Sequence, residues 1–410
     1  MRKLPPGNLF LELTLLSPST DSMTNNRNVL ATLEQLQIRE RQGSSMLSTT
    51  VGEVRAPVFV LGCPRSGTTL LYDMLISSGK FADYRVESNV FNRVAPAFGN
   101  LKSARDRTRL MNAWLQSDYF KRSGLEAGDI REKVLAAGRN PGDFLRIIME
   151  SIARNQGVER WAEKTPAHLL YIPQIKETIP DALIIHIIRD GRDVAASMTR
   201  MRCGDFWWNT RHRLLVCGLY WQWIVQKGRE YGRKLGPDYL EMRYEDLVQH
   251  PEETLATVGD FIHSYLDYDR IRQNAVGAVS KPNTSFRNEI RMGAFSPVGR
   301  WKGFTDVEAA RVEGLLAPFL RELGYETNAS FALDFTAWRL RVFYSLFRKV
   351  KQWLRQAYVG RFLIGTDMLR SGALSEVAAR WAVLAEAPSQ APQGCNPRSP
   401  ARDSRPAVTD

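Results

Sequence analysis

The glycine spacing in the stretch Pro57–Leu71, which reads PVFVLGCPRSGTTLL, is typical of a loop that binds a phosphate-like anion. An apolar, strand-like run leads to Gly62, and Gly67 follows five residues later, directly before two hydroxyl residues, Thr68 and Thr69. In such a loop the backbone N–H groups and the N-terminus of the next helix converge on the anion. Kinases and NTPases carry a lysine where this chain has Thr68, so the loop has the phosphate-binding frame without the nucleotide-hydrolase lysine.

A second turn of the same design follows the apolar run Ala182–Ile188, which reads ALIIHII. It begins with Arg189-Asp190-Gly191-Arg192-Asp193, and the chain from Val194 onward has a helical pattern. An arginine can meet a phosphate with two parallel N–H bonds, whereas a magnesium site would need a carboxylate at the strand end. The turn therefore favours direct binding of an anion without a metal ion, although Arg192 and Asp193 could instead form a structural pair.

The elements around these turns alternate between strands and helices. We expect a further strand at Tyr239–Arg243, and helices at Thr69–Ser77, within Lys102–Gly157, and at Leu214–Tyr231 and Pro251–Ile262. Continuous apolar strands alternating with helices predict an α/β fold, a P-loop-type three-layer α/β/α arrangement with a mainly parallel central sheet. Both turns would then lie at the carboxyl edge of the sheet, where such folds bind ligands.

The composition of the 410-residue chain limits its partners and its location. A formal net charge of +12 indicates a surface that attracts anions. Four scattered cysteines without a CxxC pair fit a reducing compartment, and the N-terminus lacks the features of a signal peptide. We therefore expect a cytoplasmic protein, soluble or peripheral to a membrane.

The C-terminal third changes character. Apolar residues recur at helical spacing from Phe335 to Trp353 among arginines and lysines, which predicts a basic amphipathic helix. Such a helix either lies on an anionic membrane or docks on the domain with its basic face in water. We divide the chain into an N-terminal extension (1–55), a catalytic domain (56–330), this helical segment (331–365), and a helical remnant with a disordered tail (366–410).

Four motifs in order resemble sulfotransferases that use 3′-phosphoadenosine 5′-phosphosulfate (PAPS). The run Pro64–Leu70 is similar to their 5′-phosphosulfate loop, and Arg189-Asp190-Gly191-Arg192 with Ser197 to their 3′-phosphate motif. Tyr244 in RYEDLV matches a tyrosine beside the adenine in the tyrosylprotein branch, and Gly299-Arg300-Trp301 with LAPFLRELGY resembles the end of that branch and of related bacterial enzymes. The resemblance covers about residues 57–325.

The resemblance implies a role for each motif residue. The PAPS-binding residues would be Arg65, Ser66, Gly67, Thr68, Thr69, Arg189, Ser197, Tyr244 and Arg300. Arg65 and Lys164, the latter in WAEKTP, would also act at the transferring group. The tyrosylprotein branch has a serine at the position of Gly299, and its later lysine has no clear counterpart, so Arg300 or Lys302 would supply those contacts, or they would be absent.

The acceptor hydroxyl must lose a proton, which requires a base. Glu87, in YRVESN, lies one residue away from where the related enzymes place a catalytic glutamate; Glu163 and His168 are the reserve candidates. His186 lies inside an apolar strand and is interpreted as a satisfied core histidine.

The expected reaction is metal-independent sulfuryl transfer from PAPS to a hydroxyl acceptor of carbohydrate, lipid-linked, tyrosyl or small-molecule type. Acceptor specificity would reside in Phe91–Gly157, Cys203–Trp208 and Lys281–Ser296. Two alternatives stay open: a P-loop kinase-like phosphotransferase, and a basic scaffold that binds lipid or nucleic acid through Phe335–Arg355. On the sulfotransferase interpretation no nucleic-acid partner is expected.

Overall fold

The computed structural model describes residues 55–99, 101–201, 212–280, 297–327 and 335–356. The chain divides between Glu53 and Val54, and every described residue belongs to the unit that begins at Val54. Nearly all of the N-terminal extension, two of the three specificity segments (203–208 and 281–296), and the C-terminal tail lie outside the described residues.

A four-stranded parallel sheet forms the centre of the described part. The strands are β1 (Val58–Gly62), β2 (Ala162–Glu163), β3 (Leu183–Ile188) and β4 (Tyr239–Arg243), in the order β2-β1-β3-β4. β1 pairs with β3 along its full length, from Val58 opposite Leu183 to Gly62 opposite Ile187. Because β1 and β3 are neighbours and parallel, the turns that follow them lie side by side at the carboxyl edge, as predicted.

Helices follow and separate these strands. The α-helices are α1 (Thr68–Ser77), α2 (Ala95–Phe98), α3 (Ala104–Trp114), α4 (Asp118–Ser123), α5 (Ala127–Ala137), α6 (Pro141–Asn155), α7 (Ile172–Thr178), α8 (Gly191–Met201), α9 (Arg213–Gly232), α10 (Tyr244–Gln249), α11 (Pro251–Phe261), α12 (Tyr268–Asn274), α13 (Asp306–Glu322) and α14 (Phe335–Gln356). A π-helical turn at Val90–Val94 and 3₁₀ turns at Pro166–Tyr171, Arg233–Asp238 and Arg300–Gly303 complete the set.

Alternate residues of the central strands enter two separate cores. On one face Phe59, Leu61 and Ile184 join a large cluster that includes α6, α9 and α13. On the other face Val58 and Val60 pack with residues of α1, α11 and α12. Every residue of β1 and β3 is buried, which is why both strands are continuously apolar rather than alternating. The predicted three-layer α/β/α fold is confirmed.

Sequence reasoning missed β2 and the orientation of α14. β2 has only two residues, too few to give a periodic pattern, and it pairs with Val58 and Phe59 at the start of β1, directly before Lys164. In the structure α14 spans Phe335–Gln356, and its apolar stripe does not dock. The buried side chains are Ala337, Tyr344 and Arg348.

Arg348 explains that inverted orientation. Its guanidinium carbon lies 4.7 Å from the ring centre of Tyr220 and 4.4 Å from that of Trp223, both on α9. Its Nε donates to the hydroxyl of Tyr344 at 2.5 Å. Stacking on aromatic faces compensates the guanidinium for leaving water, so a basic residue forms the docked face.

Candidate active site

The loop between β1 and α1 is built around two left-handed residues. Arg65 has φ 76° and Gly67 has φ 96°, and the N–H of Ser66 donates to the carbonyl of Cys63 at 3.0 Å. A Cβ on Gly67 would lie 2.2 Å from the ring of Tyr244, so both the backbone angle and the space require glycine here. The first N–H groups of a helix have no acceptor within the helix, and this loop places those of α1 at the sheet edge.

The predicted 5′ and 3′ residues form one site. Nε of Arg65 donates to Oγ of Ser197 at 3.0 Å, across 132 residues of sequence. Nη1 of Arg189 donates to the carbonyl of Arg65 at 3.1 Å. Two guanidinium groups, a hydroxyl and the loop backbone therefore meet where β1 and β3 end.

Arg189 is buried, and its guanidinium contacts a backbone carbonyl, a carboxylate and an aromatic ring. Nη2 donates to the carbonyl of Pro297 at 2.5 Å and lies 3.6 Å from Oδ2 of Asp193. The guanidinium also stacks over Tyr244, with 4.5 Å to the ring centre. Its Nε is buried and has no hydrogen-bond partner in the structure.

Asp193 fixes the segment that follows residue 296. Its two carboxylate oxygens accept the N–H groups of Gly299 and Trp301, each at 2.9 Å, and Gly299 adopts φ 75°. Burial raises the pKa of Asp193, while Arg189 and the two N–H groups lower it; the net effect is a raised pKa. Arg300 is thereby held beside the Arg189 turn, and its positive charge acts to lower the pKa of Tyr244, which burial raises overall.

The proposed pairing of Arg192 with Asp193 is wrong. Arg192 forms ion pairs with Asp190 at 2.7 Å and with Glu313 of α13 at 3.1 Å, and it stacks 3.9 Å from the ring centre of Trp301. Arg192 and Asp193 are neighbours in the first turn of α8 and so point in different directions: Arg192 contacts α13, whereas Asp193 lies near Arg189. Both arginines of the motif are used, but only Arg189 contacts the β1 loop in the contacts described.

Glu87 and Lys164 form an ion pair. Nζ of Lys164 donates to Oε1 of Glu87 at 3.0 Å, and the side chains are 12% and 33% exposed. The two residues come from different segments, Glu87 from the stretch after α1 and Lys164 from the end of β2. The structure thus brings together the predicted base and the predicted lysine.

The reserve candidates Glu163 and His168 belong to a buried network. Oε1 of Glu163 accepts from the hydroxyls of Ser88 at 2.7 Å and Thr165 at 2.5 Å, and Oε2 lies 3.1 Å from Nδ1 of His168. Nε2 of His168 accepts the N–H of Phe91 at 3.2 Å, so its proton must lie on Nδ1 and point to Glu163. Burial alone would raise the pKa of Glu163, but His168 and the two hydroxyls lower it below its ordinary value.

Of the three candidate bases, Glu87 is therefore the one that is accessible, because Glu163 and His168 belong to this network. Glu163 is 2% exposed and His168 is fully buried, with both ring nitrogens engaged. Their hydrogen bonds tie the Glu87 segment to the Lys164 segment, which is a positioning task. His186 is also fully buried, as predicted for a core histidine; burial lowers its pKa to about 3, Nδ1 pairs with the hydroxyl of Tyr239, and Nε2 has no partner.

Sequence reasoning missed the role of Glu245 in RYEDLV. Its Oε1 accepts the N–H of Asp190 at 2.9 Å, and its Oε2 accepts the hydroxyl of Tyr325 at 3.0 Å. The motif after β4 and the motif LRELGY therefore act together to hold the start of the Arg189 turn. The spacing of acidic residues after a strand gave no signal of this, because Tyr325 lies 80 residues away.

Residues 57–267 match the sequence model of the Sulfotransferase family, slightly more than half of the chain. The chain belongs to the Sulfotransferase family. The family match contains the β1 loop, Glu87, Lys164, the Arg189 turn and Tyr244, whereas Arg300 and α14 lie beyond it.

Curated relatives point to one branch of the Sulfotransferase family. A protein-tyrosine sulfotransferase of Drosophila melanogaster is 26% identical over 282 residues, which cover 67% of this chain and 52% of that protein. Protein-tyrosine sulfotransferase A of Caenorhabditis elegans is 26% identical over 285 residues, 67% of this chain and 68% of that protein. The chain thus spans about half the length of the fly relative.

The solved structures that this chain resembles have lower sequence identity. The sulfotransferase domain of the Synechococcus PCC 7002 olefin synthase is 18% identical with a TM-score of 0.46, covering 68% of this chain and 97% of that domain. A mouse sulfotransferase in complex with PAP is 16% identical with a TM-score of 0.37, covering 67% of this chain and 88% of that one. No functional argument follows from either likeness.

Proposed function

We propose that this protein transfers a sulfuryl group from PAPS to a hydroxyl group of an acceptor. Membership of the Sulfotransferase family supports the reaction class. The observation that carries the choice of donor is the Arg65–Ser197 hydrogen bond, with Arg189 bound to the same loop, because it places two guanidinium groups at an amide-lined turn. A donor with phosphates at both its 5′ and 3′ positions matches two such groups.

The residues of the site fit an anionic sulfuryl donor that carries many hydrogen-bond acceptors. Among the described residues, Oγ of Ser66 and Nε of Arg189 are buried without a hydrogen-bond partner, and both can donate a hydrogen bond to an anion. Because Gly67 has no side chain, the ring of Tyr244 can pack closely against the loop at this residue. Arg65, Ser66, Thr68, Thr69 and the loop amides would hold the 5′ end.

The 3′ end would be held by Arg189 and Ser197, with Tyr244 and Arg300 beside them. Sulfuryl transfer leaves negative charge on the departing phosphate oxygen, and preorganised cations stabilise such charge because they need no reorganisation during the reaction. Arg65 and Lys164 would perform this task. The PAPS donor supplies an activated sulfate; the chain supplies the binding groups and the charge.

Glu87 would take the proton from the acceptor hydroxyl. Of the three candidate bases it is the one with a partly exposed carboxylate, and it forms an ion pair with Lys164. A base must lie within hydrogen-bond reach of the acceptor, which an exposed carboxylate permits and a buried, fully engaged one does not. Glu163 and His168 would act indirectly, by keeping the Glu87 and Lys164 segments in register.

A phosphotransferase that uses magnesium is the competing proposal, and the carboxylates near the loop argue against it. Asp190 is ion-paired with Arg192, and Asp193 accepts two backbone N–H groups beside Arg189. Carboxylates committed in this way would have to give up these contacts to bind a metal ion.

The cytoplasmic location and the absence of a nucleic-acid partner stay predictions.

The acceptor remains open between tyrosyl, carbohydrate, lipid-linked and small-molecule hydroxyls, and the names of the curated relatives make tyrosyl peptides the first to test. The decisive experiment supplies [³⁵S]PAPS or [γ-³²P]ATP with a panel of these acceptors, with and without EDTA. We expect ³⁵S transfer that EDTA does not reduce. Magnesium-dependent ³²P transfer without ³⁵S transfer would refute the proposal.

A further inference from the structure

Helix α14 presents two different faces. One face docks on the domain through Ala337, Tyr344 and Arg348, all of which are buried. Arg341 adds a hydrogen bond from its guanidinium to the carbonyl of Leu315 on α13. The rotation of the helix about its axis is therefore fixed by contacts on this side.

The opposite face is apolar and exposed. Its large apolar side chains follow the 3- and 4-residue spacing that places them along one side of a helix. They are Phe335 (68% exposed), Trp338 (50%), Val342 (51%), Leu346 (61%) and Val350 (47%). Phe343, next to Val342 on the same helix, is also exposed (53%); the other strongly exposed large apolar side chains among the described residues are Tyr265 and Val307, which lie apart from each other in the sequence. A continuous exposed apolar stripe of this kind marks an interaction surface.

The charge of the helix identifies the partner. The sequence from Phe335 to Gln356 contains six basic residues and no acidic residue. Arg339 and Lys349 are exposed, and at helical spacing they fall within the same side as the apolar stripe; the Arg339 guanidinium lies 5.8 Å from the ring centre of Phe335. Long basic side chains beside an apolar stripe can extend to lipid headgroups while their stems stay in apolar surroundings.

We propose that this face of α14 binds flat on an anionic lipid bilayer. The stripe would enter the boundary between headgroups and acyl chains, and Arg339 and Lys349 would pair with anionic headgroups. A second copy of the chain fits less well, because two such faces would bring like charges together. Among the described residues no helix is long and apolar enough to cross a membrane, so contact at the surface is the form of binding proposed.

Flotation of the full chain with vesicles tests this surface. The probes are vesicles of phosphatidylcholine alone and of phosphatidylcholine mixed with an equal amount of phosphatidylglycerol. We expect the protein to float with the anionic vesicles, and the bound fraction to fall as salt is added. Replacing Arg339 or Lys349 by glutamine should weaken binding about fivefold for each residue.

Two matched variants test whether vesicle binding depends on the apolar stripe or falls with any charge added to the surface. Leu346→Asp places a charge in the stripe and should reduce binding by about tenfold or more, since charged residues enter the interface poorly. Val307→Asp makes the same kind of change at an equally exposed valine on α13 and should leave binding unchanged. Circular dichroism and PAP binding confirm that each variant is folded.

The proposal fails if wild-type protein floats equally with both vesicle types, with neither, or if Leu346→Asp and Val307→Asp behave alike. It also fails if sedimentation velocity shows a dimer that Leu346→Asp dissociates, because the stripe would then be a subunit interface. If the protein floats with anionic vesicles but transfers no sulfuryl group, the result counts against the proposed function alone. If it transfers sulfuryl groups but does not float, the result counts against the membrane surface alone.

Discussion

Nζ of Lys164 lies 3.0 Å from Oε1 of Glu87, although the two residues are 77 positions apart in the chain. Neither residue reaches this position alone. The hydroxyl of Ser88 and the imidazole of His168 both bind Glu163, and so connect the segment that carries Glu87 to the one that carries Lys164. The pair is thus the exposed end of a buried polar network.

Replacing Glu87 by glutamine tests the base. Glutamine keeps the size of the side chain and an oxygen for Lys164, but it cannot accept a proton at neutral pH. We expect kcat to fall by roughly 10²- to 10⁴-fold, the usual contribution of general-base catalysis, with PAP affinity unchanged. Turnover of radiolabelled PAPS and calorimetric titration with PAP measure the two effects. Glu132→Gln, at an exposed position on α5, is the control. A fully active Glu87→Gln would remove Glu87 from the mechanism.

Arg189→Ala should separate the nucleotide phosphates. Removing a charge-assisted pair of hydrogen bonds costs about 1.5–3 kcal/mol, so PAP affinity should fall about 10- to 100-fold. AMP lacks the 3′-phosphate and should lose far less. Calorimetric titration with both nucleotides gives the ratio, and Arg109→Ala, at a half-exposed arginine, is the control. Because Arg189 also binds the carbonyls of Arg65 and Pro297, equal losses for PAP and AMP would assign it a structural role instead.

Gly67→Ala tests the shape of the loop. The substitution combines a left-handed backbone angle with a Cβ that would lie 2.2 Å from Tyr244. Gly157 has φ 66° and open space around its Cβ position, so Gly157→Ala carries the backbone strain alone, about 1–2 kcal/mol. We expect Gly67→Ala to lower the Tm more than Gly157→Ala and to abolish PAP binding, which Gly157→Ala should keep. Equal Tm losses and intact PAP binding in both variants would show that the loop adapts.

Glu163→Gln should change how stability depends on pH. The pKa of Glu163 is lower in the folded protein than its ordinary value of 4.5, so the unfolded chain binds more protons between the two values. Its contribution to stability is therefore complete above about pH 4.5 and is lost as the pH falls through the folded-state value. We expect wild type and Glu163→Gln to differ most in unfolding free energy near neutral pH and to converge in acid. Urea unfolding from pH 3 to pH 7 measures this difference, and a constant difference across that range would contradict it.

The parts of the fold that are specified by residues close together in the sequence could be predicted from it. Continuous apolar runs indicated β1 and β3, and the strand Tyr239–Arg243 has the predicted bounds. Helix α9 differs from its predicted range by one residue at each end, and α11 by one residue at its C-terminal end. These elements follow from hydrophobic periodicity and from turn residues, which act over a few positions.

The candidate site was only partly predictable. The residue types at the β1 loop and the Arg189 turn named most members of the site in advance. The pairing of Arg192 with Glu313 and the contact of Glu245 with Asp190 were not predicted, because these contacts join residues 121 and 55 positions apart. No local pattern records which carboxylate a buried arginine will meet.

By itself, the sequence determined the phosphate-binding loop without its lysine, the second arginine turn and the alternation of strands and helices. Each of these depends on backbone angles and apolar runs that neighbouring residues specify. Only the tertiary structure decided that Glu163 and His168 are committed to a buried network, and that α14 docks through Ala337, Tyr344 and Arg348 while its apolar stripe is exposed. The physical reason is that a side chain's role depends on the surface it meets: the rings of Tyr220 and Trp223 accept Arg348, and no pattern within α14 contains them.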